Sequence, residues 1–164
     1  LDFLMLNWLD RPIFANLAML LLRVVTASLM VHHGLDKYNN PTGFAEGVIA
    51  GYFPFLPGPP LFWTYLAMSF ELGGCFCFVF GIFVRPAAAL IAGTMVNAIA
   101  FQVMKFGLQN YPFGQSPQGA AYSFEPSLTF LAVAAHIACS GPGRFGLQTS
   151  CKPVRPVGTE TDLV

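Results

Sequence analysis

Charge is what this chain has least of. Only 10% of its 164 residues are Asp, Glu, Lys or Arg, against about 25% in an ordinary soluble domain. The 8 basic and 8 acidic residues cancel, which leaves no basic face for nucleic acid and no field to draw a soluble acidic partner. Cysteine is sparse too. Cys75 and Cys77 lie two apart, on different faces of a helix, which excludes a zinc-type or redox CxxC pattern. Cys139 sits near a helix end and Cys151 in the tail, both on the side expected to be reducing, where a structural disulfide is not expected. All four cysteines read as packing residues or plain thiols. Metal and nucleotide motifs, internal repeats and low-complexity blocks are absent as well. The length suits one compact domain and leaves nothing for a second.

What the chain does have is hydrophobic residues, 55% of the total, gathered into long runs. The first, Ile13 to Leu35, is broken only by Arg23 before His32-His33, and the second, Leu61 to Val84, only by Glu71. The third, Pro86 to Lys105, carries Asn97 at its centre, and the fourth reads PSLTFLAVAAHIACS from Pro126 to Ser140. About 20 apolar residues cross the roughly 30 Å of bilayer hydrocarbon, and backbone groups in lipid must be satisfied within the segment. The expected fold is therefore all-α, an antiparallel bundle of four transmembrane helices at about 13–35, 61–84, 86–105 and 124–141. These helices make one membrane domain over residues 1–145, followed by a polar extended tail over 146–164.

Punctuation supports these limits. Pro86 and Pro126 suit first-turn positions, where a missing N–H costs nothing. Gly34 with Asn39-Asn40-Pro41, and Gly141-Pro142-Gly143, read as stops. Helices two and three are joined so tightly that they must form an antiparallel hairpin. The two long connections, Asp36 to Pro60 and Phe106 to Phe124, then lie on the same side. The Gly43–Phe55 part of the first is apolar but too short to span, and reads as a short interfacial or re-entrant segment. Aromatic residues crowd both connections, as at a headgroup boundary. Arg11, Arg85, Arg144, Lys152 and Arg155 fall on the other side, and Lys37 and Lys105 on the long-loop side. The positive-inside rule puts both termini on the cytoplasmic, stromal or matrix face. The chain starts at Leu1 rather than Met, as expected either where a targeting segment is removed or where the sequence is a trimmed portion of a longer one. A bacterial inner membrane, a thylakoid and an inner mitochondrial membrane all accommodate this arrangement.

A lone charge at mid-membrane costs about 2.5–3.5 kcal/mol on insertion scales, so Arg23 and Glu71 at matching depth are expected to be partners. Asn16, Leu20, Arg23, Ala27 and Gly34 share one face of the first helix. Ala67, Glu71, Gly74 and Gly81 do so on the second, and Ala89, Gly93, Asn97 and Ala100 on the third. Small residues beside a polar one suit a close-packed membrane interface, leaving Phe76, Phe78, Phe80 and Phe83 to cover the second helix elsewhere, including the lipid side. Arg23, Glu71 and Asn97 are therefore expected to face one another. Structurally, the trio is an ion pair with an attendant amide that sets which helices dock. Functionally, it is a proton relay or a polar anchor for a quinone or other ligand.

His32, His33 and Lys37 fall at the end of the first helix, and His136 towards the end of the fourth. The two groups lie near opposite membrane surfaces, so no joint metal site is expected. Each histidine reads first as a polar interfacial residue. Haem or chlorophyll ligation has no supporting motif, while His32 or His33 is suited to carrying protons near neutral pH. Glu125, before Pro126, suits a helix N-terminus and is a candidate second acid at the long-loop face.

Three stretches resemble the DoxX family of small four-helix membrane proteins. They are LLRVVTASLMVHHGLDKY (Leu21 to Tyr38), ELGGCFCFVFGIFVRPAAAL (Glu71 to Leu90) and FEPSLTFLAVAAHIACSGPGRFGL (Phe124 to Leu147). The resemblance marks Arg23, His33, Gly34, Lys37, Glu71, Gly74, Gly81, Glu125 and the Gly141–Arg144 segment. Gln148 departs from the family pattern, which often carries an acidic residue after the closing motif, and His136 is unusual for the fourth helix. The resemblance implies a membrane subunit tied to redox systems, including quinone-reducing oxidoreductases for sulfur compounds and complexes handling oxidative stress.

Three functional readings follow. The first is an accessory, non-catalytic subunit of a respiratory or photosynthetic electron-transfer complex, in contact with lipid and other membrane subunits through its aromatic loops. The second is a quinone-linked oxidoreductase subunit with a pocket at Arg23, Glu71 and Asn97. The third is a small transporter or proton pathway. No motif indicates a cofactor, although quinone, pigment and lipid contacts all suit the chain.

Overall fold

The computed structural model describes residues 12–108 and 124–147, and these residues are helical with no strand among them. The long α1 spans Pro12–Asn39, and the short α2, Pro41–Phe44, continues directly into a π-helical stretch, Ala45–Ala50. Two further long helices follow, α3 (Pro60–Phe80) and α4 (Val84–Phe106), and then α5 (Glu125–Ser140). A helix thus occupies each expected span. The residues of the notional tail beyond 147, including Gln148, Cys151, Lys152 and Arg155, lie outside the described residues, as do Arg11 and residues 109–123 of the second long connection.

Local chemistry accounts for the boundaries. Expected to stop near Leu35, α1 runs on to Asn39 because Gly34 is a packing position, buried in mid-helix, rather than a cap. The break comes at Asn40, whose Oδ1 accepts the Gly43 N–H (3.0 Å), with Pro41 opening the next turn. Pro60 likewise opens the first turn of α3, after Pro59 and without a side-chain cap. This helix stops at Phe80, short of the expected Val84, because Gly81 adopts a left-handed conformation (φ 67°) and donates its N–H to the Cys77 carbonyl (2.9 Å). Phe83 is also left-handed (φ 45°), so the chain reverses between Gly81 and Phe83 and α4 begins at Val84, before Pro86.

Three helices, α1, α3 and α4, are long and apolar enough to cross a membrane. Their outer faces carry exposed Leu21, Leu29, Phe76, Phe80 and Val96, an apolar belt that a water-soluble monomer rarely shows. The 16 residues of α5 extend about 24 Å. Neighbouring helices run in opposite directions, as their contacts reveal. Gly34 and Arg23 of α1 meet Leu72 and Phe78 of α3 in that order, Gly74 of α3 faces Ile91 of α4 across the short turn, and Gln102 and Arg85 of α4 lie beside Ser127 (3.3 Å) and Gly141 at the two ends of α5. Met30, Phe78, Ala88, Ile91, Ala134 and Ile137 are fully buried at the centre.

Lipid gives helices no hydrophobic drive to associate, so close van der Waals packing must hold them, and small residues permit it. A Cβ at Gly34 would lie 2.6 Å from Leu72, and one at Gly74 would lie 2.5 Å from Ile91. The expected faces of α1 and α3 are buried at Arg23, Ala27, Gly34, Glu71, Gly74 and Gly81, but that of α4 is not. Its buried stripe is Val84, Ala87, Ala88, Ile91 and Met95, while Ala89, Gly93 and Asn97 are exposed. Phe78, expected to help cover the outside of α3, is in the core.

Candidate functional site

The central polar residues do not form the expected trio. Glu71 pairs with Lys37, whose Nζ donates to both carboxylate oxygens at 2.7 and 3.0 Å. The third ammonium hydrogen goes to the His33 carbonyl (3.2 Å), and the Phe44 ring lies 4.8 Å from Nζ. Three donors thus have three acceptors, and an aromatic face supplies further cation stabilisation. Both residues are buried, Glu71 at 3% exposure and Lys37 at 9%.

Arg23 is fully buried (0% exposed) and binds carbonyls instead of a carboxylate. Nε donates to Phe78 O (3.0 Å), Nη2 to Phe145 O (2.8 Å) and Nη1 to Pro142 O. The Phe78 carbonyl belongs to the last turn of α3, where carbonyls lack helical partners and a cation complements the helix dipole. The other two belong to the segment after α5. That segment is also held by Arg144 N–H to Asn16 Oδ1 (2.7 Å) and Leu147 N–H to Phe80 O (3.2 Å). Gly81 is required here for space as well as conformation, because a Cβ would run into the Gly146 backbone and come within 3.1 Å of the Arg23 guanidinium. Arg23 therefore clasps the end of the molecule that holds the α3–α4 turn, and the Gly141–Arg144 stretch is its partner as well as a helix stop.

Side-chain direction explains why Arg23 and Glu71 do not meet. Side chains on an α-helix lean towards its N-terminus. On antiparallel α1 and α3, Arg23 leans towards the α3 C-terminus while Glu71 leans the other way. Lys37 and Glu71 lean towards each other and converge. Counting each charge from the middle of its run puts Arg23 and Glu71 at one depth, but their charged ends diverge. The missed partner had a usable signal. Positions 23, 30, 34 and 37 share one face of α1, so the extension of the helix past Leu35 brings Lys37 onto the buried stripe.

Asn97 is likewise outside the trio. It is exposed, and its Nδ2 donates to the Gly93 carbonyl of its own helix (2.9 Å), so it needs no partner on another helix.

The ion pair lines a cavity of about 560 Å³, within the range that holds a single small molecule. Its wall is largely apolar and aromatic, with Phe44 and Phe53 from the segment after α1, Trp63 and Phe70 from α3, Phe101 from α4 and Phe130 from α5. Into this wall project His33, Lys37, Glu71, Asn97, Gln102 and Ser127. Glu71 and Asn97 thus do share a site, with His33 and Lys37, while Arg23 belongs to the clasp. His33 is half-buried, its ring 6.2 Å from that of Phe130. The exposed His32 stacks on it with ring centroids 4.0 Å apart. Glu125 sits half-buried at the start of α5, next to the cavity residue Pro126. His136 is exposed and pairs with Ser140 (3.3 Å) on its own helix. Among the described residues, no group of three or more His, Cys, Asp or Glu is arranged to hold a metal ion.

The family model for DoxX matches residues 18–104, more than half the chain. The match takes in Arg23, His33, Lys37, Glu71 and Asn97 and stops short of α5. No curated protein and no solved structure matches this chain. Family and apolar helices together make this an integral membrane protein.

Proposed function

The chain belongs to the DoxX family, and from that premise we propose that it is a quinone-linked membrane subunit, binding the quinone head in the cavity over Lys37 and Glu71. The observation that carries this reading is the placement of the ion pair. A pair serving only to dock helices has no need of open space beside it, yet this one borders a largely apolar cavity. Ligand sites have this composition, with an apolar wall fixing the body of the molecule and a few polar groups fixing its head. A quinone head is planar and bears two carbonyl acceptors. The His33 ring and the Asn97 and Gln102 amides are donors suited to those acceptors, the Lys37 ammonium, its hydrogens already taken, contributes its charge, and the aromatic wall suits the quinone ring. Glu71 balances the Lys37 charge and is placed to exchange a proton if the head is reduced. The cavity favours this reading over a purely accessory subunit.

We read α5 as a fourth span completing an antiparallel bundle. Its 24 Å or so falls short of about 30 Å of hydrocarbon, and the clasped segment after Ser140 continues the path. The start of α4 and the segment after α5 carry Arg85 and Arg144, which supports the cytoplasmic, stromal or matrix side for that end.

The test uses Trp63, which lines the cavity. Purified protein in detergent is titrated with a short-chain quinone while tryptophan fluorescence is followed, with Trp63→Phe as the control for signal origin. Saturable quenching is expected. Glu71→Gln, checked for folding by size-exclusion chromatography, weakens binding by about tenfold, equivalent to about 1.4 kcal/mol. Absence of saturable binding by the wild type refutes the reading.

A further inference from the structure

The cavity is unequally covered. Of its lining residues Lys37, Glu71 and Ser127 are buried, whereas Ala89, Leu90, Gly93 and Asn97 of α4 and Pro126 of α5 are exposed, most of them along one side of α4. Gly93 lies about 14 Å along α4 from Val84, near the middle of a bilayer about 30 Å thick in hydrocarbon. Towards the α3–α4 turn the two helices are in close contact, with Ile91 packed on Gly74. Gly93 lies on a different face of α4 from Ile91, and a Cβ there would meet nothing within 4 Å. The opposite approach is covered by the segment after α1, where Phe53 is buried and Tyr52 packs edge-on against Phe101 (centroids 4.9 Å apart).

We infer that the cavity opens sideways between α3 and α4 into the bilayer, and that Gly93 is the sill of this opening. The ligand class follows. It is a single-tailed amphiphile whose polar head reaches Lys37 and Glu71 while its alkyl or isoprenoid tail passes over Gly93 and remains in lipid. The small residues Ala89 and Gly93 on the rim, adjoining the apolar belt, leave the width such a tail needs. This inference rests on the ligand-binding reading above and specifies the route and the tail.

Gly93→Leu puts a side chain into open space, so the protein is expected to fold as the wild type does, checked by its circular dichroism melt. Wild type and variant are titrated with a decyl-tailed quinone and with its tail-less counterpart. The variant is expected to lose tailed-quinone affinity by about tenfold or more, the factor brought by losing roughly two buried methylenes, and to keep tail-less affinity within about twofold. Equal affinities for both ligands in wild type and variant overturn the lateral opening and leave the ligand-binding reading standing. Equal losses for both ligands overturn it too, because Gly93 then borders the head rather than the tail. Failure of the wild type to bind either ligand refutes the underlying reading instead.

Discussion

The exchange of partners at the centre of the molecule has a quantitative consequence. Two unit charges 4 Å apart attract by about 4 kcal/mol at an effective dielectric of about 20, and the Lys37 and Glu71 heavy atoms are closer, at 2.7 and 3.0 Å. Desolvation offsets much of that gain, so the pair adds little net stability over an apolar pair. Removing one partner strands the other and costs about 3–5 kcal/mol. Lys37→Met and Glu71→Leu are therefore each expected to destabilise by that amount, and the double variant by far less. The coupling energy of the cycle is then about 3 kcal/mol or more. Arg23 and Glu71 are expected to behave as independent sites, with coupling below about 0.5 kcal/mol. The Arg23 guanidinium binds the carbonyl of Phe78, two turns and about 10 Å of helix beyond Glu71. Both cycles are measured by SDS-induced unfolding of the purified protein in mixed micelles, followed by circular dichroism. A larger coupling for Arg23 with Glu71 than for Lys37 with Glu71 would refute the reasoning from side-chain direction.

Arg23→Lys keeps the charge but loses the planar fork that reaches three carbonyls. It should cost about 1.5–3 kcal/mol for each charged hydrogen bond lost, and faster amide exchange at Leu147, read by hydrogen–deuterium exchange mass spectrometry, should accompany it. Unchanged exchange there would show that the clasp does not depend on Arg23. Gly34→Ala should destabilise by about 1–3 kcal/mol, the usual cost of overpacking, since its Cβ would lie 2.6 Å from Leu72. Gly73→Ala meets nothing within 4 Å and should stabilise by about 0.5–1 kcal/mol through helix propensity. Thermal melts of the two variants in one detergent separate these outcomes, and equal shifts would contradict the close approach of α1 and α3.

The sequence by itself determined the elements and their environment. Membrane residence follows from composition, because 55% hydrophobic residues in long runs leave little for water to solvate, and the hydrocarbon thickness sets the run length. Local chemistry marks most helix ends, with Pro41, Pro60 and Pro126 in first turns and Gly141 just beyond the last helix. Even the buried faces of α1 and α3 can be read from small residues recurring beside a charge. Tertiary structure alone decided which charge meets which. Pairing depends on the relative shift of antiparallel helices and on the lean of each side chain, and neither quantity is local. Lys37 joined Glu71 because α1 continues one turn past its apolar run. Arg23 turned to carbonyls because its lean carries it to the open end of α3, where Pro142 and Phe145 return from far along the chain. The cavity is the least legible feature of all, since it is the space left where five segments fail to touch, and no residue's own chemistry encodes a gap.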